Sequence, residues 1–223
     1  MCFSAVASFG AGTVLTFIGV ASLKKVQSPS QIAFASVPLI FAVQQISEGF
    51  VWLSLSNSTF ASLQSVMTYV FLFFAQVVWP IWVPFAIMKL EKNDKRKKML
   101  KVIVAIGGLV SLYLLFCLIN FHVDSKIVGY HISYKQDYPR DIKIYQAGLY
   151  LIATVIPPFI SSVKKMPLLG MGIFISYIIT MIFYVDYIIS VWCFFASIIS
   201  ITIYGIMWLM KRSAVLTIKI VTK

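Results

Sequence analysis

Residues 32–55 read Ile32-Ala33-Phe34-Ala35-Ser36-Val37-Pro38-Leu39-Ile40-Phe41-Ala42-Val43-Gln44-Gln45-Ile46-Ser47-Glu48-Gly49-Phe50-Val51-Trp52-Leu53-Ser54-Leu55, without one lysine or arginine. About 20 predominantly apolar residues cross the hydrocarbon core of a bilayer as a helix, so this run is long enough to span. Its one acid, Glu48, is out of place. On insertion scales a charged side chain at mid-membrane costs about 2.5–3.5 kcal/mol, so such a group faces a partner, a cavity or a ligand. Gln44 and Gln45 lie four and three residues before Glu48, and Trp52 lies four after it. Helical spacing puts both amides, the acid and the indole on one broad face.

Working outward, six further apolar runs follow the same pattern: 4–23, 65–88, 102–120, 143–162, 168–186 and 188–210. The chain is 60% hydrophobic and only 12% charged, with a mean hydropathy of +0.92, which is a membrane composition rather than a soluble one. The predicted fold is therefore all-α, a polytopic bundle of seven transmembrane helices. It forms one domain over 1–212, followed by a short cytoplasmic tail, 213–223. Helix 1 carries Ser4, Ser8, Gly12 and Thr16 at a spacing of four, a small-residue stripe that lets a neighbouring backbone approach.

The net charge of +12 invites a nucleic-acid reading, but its distribution argues against one. Of the nineteen basic residues, fifteen fall at Lys24–Lys25, in Lys89–Lys101, at Lys164–Lys165 and from Lys211 onward. These are alternate connections, as the positive-inside rule expects of cytoplasmic loops. The N-terminus is accordingly expected outside and the C-terminus inside, with the basic loops on anionic headgroups of the bilayer and no nucleic acid as partner. The lysines follow the first apolar run rather than precede it, so that run is expected to stay as a helix. Of Cys2, Cys117 and Cys193, a Cys2–Cys193 bridge is conceivable, but buried thiols are the simpler expectation.

The connection Phe121–Ile142 is the longest outer loop. Tyr130, Ile132 and Tyr134 alternate with polar residues, which predicts a short strand over Val128–Lys135 and leaves a lid and a spacer as alternatives. The segment Lys89–Lys101 reads as a solvated basic loop. At an offset of 140, Ser22, Lys24, Lys25, Val51 and Trp52 meet Ser162, Lys164, Lys165, Val191 and Trp192, a weak repeat compatible with a three-plus-one-plus-three arrangement.

Two constellations could carry chemistry. In the first, Gln44, Gln45, Glu48, Trp52, Gln76 and Trp192 form a polar, outward-facing pocket around Glu48 that binds or transports a small molecule or ion. In the second, Cys2, Glu48, His122 and His131 hold a divalent metal such as zinc and make the protein a metal-dependent membrane enzyme. No HExxH or CxxC spacing supports the second. A third alternative is a structural or accessory subunit whose polar cluster locks helices. Helix 7 has no central lysine for a retinal Schiff base, the apolar runs hold no histidine pair for haem, and no Gly-rich phosphate loop or catalytic triad is present.

Met1-Cys2-Phe3-Ser4-Ala5, Gln44-Gln45-x-x-Glu48-Gly49-x-x-Trp52, Gly129-x-His131-Ile132-x-Tyr134 and Trp192-Cys193-x-x-Ala196 resemble an uncharacterised bacterial family of small multi-pass membrane proteins. The resemblance runs from Met1 to about the seventh helix, and His122 is not part of it. It implies a bacterial cytoplasmic membrane as location and carries no established activity.

Overall fold

The structure is a computed structural model that describes residues 4–139 and 142–221. Among these, six helices are long and apolar enough to cross a membrane: α1 (Ala5–Leu23), α2 (Pro29–Ser56), α3 (Ser58–Leu90), α4 (Asp94–Asn120), α6 (Met166–Phe183) and α7 (Val185–Arg212). Between α4 and α6 lies α5 (Ile144–Ile160), a shorter apolar helix. Seven spans were expected, so α5 is the departure. Its α-helical stretch stops at Val155, because Pro157 and Pro158 supply no amide hydrogen to continue the ladder.

The all-α expectation holds for the bundle, to which one short hairpin is added. The long connection folds into an antiparallel hairpin, β1 (Val123–Val128) and β2 (His131–Gln136), with Val128 paired to His131. The predicted strand is thus one arm of two. Gly129 takes φ +60° as the first central residue of the two-residue turn, where glycine is favoured. The hairpin is tied to α3 by Gln64, whose amide donates to the Ser125 carbonyl at 2.9 Å, and by a 2.8 Å contact between the Thr68 and Ser125 hydroxyls. On its inner face Ile132 is fully buried against Val51 and Trp52 of α2.

Helices α1 and α2 meet through glycines. A Cβ on Gly12 would lie 3.2 Å from the Ala42 carbonyl, and one on Gly19 would lie 2.9 Å from the Leu39 amide nitrogen. The buried stripe of α1 runs Ser8, Gly12, Leu15, Gly19 and Ser22. This corrects the predicted stripe: Ser4 is the exposed N-cap and Thr16 is turned away. A strict spacing of four drifts off one face of a 3.6-residue helix.

Helix α3 is broken by design of its sequence. Phe73–Val78 form a π-helical turn directly before Pro80, which has no amide hydrogen to give back to it. Two carbonyls of the turn are satisfied from outside: Tyr150 donates to Ala75, and Ser111 to Val77 at 2.7 Å. Pro84 likewise frees the Pro80 carbonyl, which abuts Gly107 of α4 so closely that a Cβ there would lie 1.9 Å away.

At the opposite end from the hairpin, Lys89–Lys101 is not the loop that was expected. Helix α4 begins at Asp94, capped by the Asn93 side chain on the Arg96 amide, and carries the lysines on its first turns. Glu91, read as part of the solvated basic segment, is only 2% exposed. Its carboxylate accepts from the Ser162 amide (2.7 Å), the Ser162 hydroxyl (2.7 Å) and the Asn93 amide (2.8 Å), tying the α3–α4 and α5–α6 turns together. Burial pushes the Glu91 pKa up, but these donors outweigh it and hold the group below the usual carboxylate value. Beyond α7 the chain stays helical to Val221.

Candidate binding site

Two cavities lie on the interior of the bundle. The larger, about 730 Å³, sits under the hairpin and is lined by β2, the segment after it, the π-turn of α3, and α4 to α7. Six tyrosines line it: Tyr113, Tyr134, Tyr138, Tyr150, Tyr177 and Tyr187. Its rim carries Lys135, Asp137 and Asp186, all exposed, whereas its deeper wall is uncharged. The smaller cavity, about 70 Å³, is apolar and reaches Phe34, Ala86 and Ile203. Tyr150, Trp192 and Cys193 line both, so they form the partition between them. The indole of Trp192 meets the rings of Tyr150 and Tyr177 edge-on, with centroids 5.8 and 5.2 Å away. Such tilted pairs hold each ring in place while leaving a face free.

Of the six residues predicted for a ligand site, the structure brings two to the large cavity. Gln76 is presented by the π-turn, and its carbonyl oxygen accepts from the Tyr138 hydroxyl at 3.1 Å. Trp192 stands in the partition. The other four, Gln44, Gln45, Glu48 and Trp52, lie together on α2 as expected but do not line the large cavity; the first three are fully buried. Glu48 Oε1 accepts from the Ser190 hydroxyl of α7 at 2.6 Å, while Oε2 has no hydrogen-bond partner. The Gln44 carbonyl oxygen accepts from the Trp79 indole at 2.6 Å, and Trp79 in turn stacks on Phe41 with centroids 3.8 Å apart. The cluster is therefore the wall behind the cavity, joining α2 to α3 and α7 one residue turn from Cys193.

The described members of the predicted metal set do not gather into a group. Cys2 lies outside the described residues, His122 is exposed, and His131 stacks on Tyr187 at 4.6 Å and meets Tyr184 at 5.2 Å. Among the described residues no three His, Cys, Asp or Glu side chains gather in a way that could hold an ion. Burial lowers the His131 pKa from its usual 6.5. Cys117 and Cys193 are buried free thiols.

The tyrosine lining was missed from the sequence, because it is assembled from six separate elements and loops with no common spacing. The available signal was that Tyr113, Tyr150 and Tyr177 each interrupt an apolar run with a hydroxyl. Comparison with known proteins returns one family, described as "Family of unknown function (DUF6629)", which matches residues 1–218. No curated protein and no solved structure matches the chain.

Proposed function

The chain belongs to that family of unknown function, DUF6629, and we propose that it is a multi-pass membrane protein that binds a small molecule in the tyrosine-lined cavity. The cavity carries this reading. A space of about 730 Å³ with aromatic walls and a few convergent polar groups falls within the size range of small-molecule sites. The hairpin end faces outward, because the basic residues collect at the other end, so the ligand enters from outside. The second cavity beyond the Tyr150–Trp192–Cys193 partition supports carriage inward once that partition moves.

In this reading Glu48 does not touch the ligand. Its hydrogen bond to Ser190 fixes the part of α7 that presents Trp192 and Cys193. The test is a thermal-shift screen of small amines, carboxylates, sugars and neutral aromatics on the purified protein, repeated on Ala147→Trp, which fills the cavity from α5. Compounds that stabilise the native chain should lose their effect in the variant. Stabilisation that persists with the cavity filled, or none in the native chain, refutes the reading.

A further inference from the structure

Resting on the cavity reading above, we propose that the ligand is a small neutral carbohydrate, a mono- or disaccharide. The argument begins with charge. An anion would need cations in the wall, yet the described lining offers only Lys135, exposed at the rim beside two aspartates. A cation would need an acid at depth. The deep acid, Glu48, is not in the lining, and the floor is built from Gln76, Tyr150, Tyr177, Trp192 and Cys193.

What remains is amphiprotic and aromatic. Amide groups of Gln76, Gln136 and Gln146 supply both donors and acceptors, as do the phenol hydroxyls. Sugar hydroxyls also donate and accept, so the two surfaces match group for group, whereas an ionic ligand would satisfy only one kind of partner. The Trp192 indole nitrogen and the Gln136 side-chain nitrogen are buried without a hydrogen-bond partner. A buried orphan donor is costly, and because neither nitrogen shows surface to the empty cavity, a ligand rich in acceptor oxygens would remove that cost only by drawing Trp192 or Gln136 round toward it. The C–H face of a pyranose is apolar and packs on an aromatic ring, and the Trp192–Tyr177 corner offers two ring planes inclined at 65°. Exposed carboxylates at the rim, Asp137 and Asp186, can accept from paired hydroxyls as the sugar enters.

Isothermal titration of the purified chain with glucose, galactose, maltose and sucrose, beside choline and benzoate, tests the proposal. Saturable binding of at least one sugar in the millimolar range or tighter is expected, with neither ion binding. Trp192→Phe keeps a ring and removes the N–H, so affinity should fall about three- to tenfold while the melting temperature holds. Asp186→Asn should weaken binding less, because the amide still accepts. Binding of choline or benzoate in place of sugars, lost in Ala147→Trp, overturns the carbohydrate assignment and leaves the cavity reading standing. Absence of sugar binding overturns the assignment as well. If no compound distinguishes the native chain from Ala147→Trp, both fall together.

Discussion

Ser190 reaches across 142 positions of sequence to donate to Glu48, a side-chain hydrogen bond that joins α7 to α2. Both partners are fully buried, so its loss is not made good by water. Replacing Ser190 with alanine removes the donor to Oε1 and leaves a buried acid with an oxygen unsatisfied at each position. The expected cost is about 1–3 kcal/mol, read as a lowered melting temperature in detergent. Ser197→Ala supplies the contrast. That hydroxyl is equally buried but bonds the Phe194 carbonyl of its own turn, so its removal should stay within about 0.5 kcal/mol. Equal effects of the two substitutions would show that the Glu48 contact is incidental. Glu48 was legible in the sequence because one acid in 24 apolar residues demands a partner. The partner itself was not, since nothing local distinguishes Ser190 from the other serines of α7.

At the scale of elements, what could be read depended on whether a pattern is local. Helical runs declare themselves by length and apolarity, and alternation revealed one strand of the hairpin. The π-turn at Phe73–Val78 did not, because its cause is split between Pro80 in the same helix and donors on α4 and α5 that become neighbours only after folding. Glu91 was hidden for a related reason. It sits among lysines in sequence, but Ser162 draws it inward. The hairpin offers a measurable consequence. His131 is held between Tyr184 and Tyr187 with its pKa lowered by burial, so the docked state favours the neutral ring. A depressed folded pKa contributes stability that is whole above about 6.5 and is lost as pH falls through the folded value. Hydrogen exchange at the Val128–His131 turn, corrected for intrinsic rates, should therefore accelerate between pH 7.5 and pH 5. His131→Phe keeps a ring on the tyrosines and should abolish the pH dependence. Persistence of that dependence in the variant would move its origin to another group.

At the scale of the whole molecule, the two ends differ in kind. One end is closed by a hairpin over a tyrosine-lined cavity, and the other is a basic rim drawn together by Glu91 and by Arg96, whose guanidinium donates to the Ile160 carbonyl at 3.1 Å. In the proposed membrane reading the chain meets water only at these ends, and its lysines lie where anionic headgroups and the retention of positive charge would place them. The cavity should then open away from the cytoplasm. Cysteines introduced singly at position 177, in the cavity wall, and at position 97, on the first turns of α4, in a chain with Cys2 replaced by serine, test this against the buried Cys117 and Cys193 thiols as background. A membrane-impermeant maleimide added to intact cells should label Tyr177→Cys and leave Lys97→Cys unlabelled until the membrane is permeabilised. The reverse order would invert the topology and turn the site into one that draws its ligand from the cytoplasm. Labelling of neither position after permeabilisation would mean the cavity is sealed from both sides, and a ligand site there would need the hairpin to lift first.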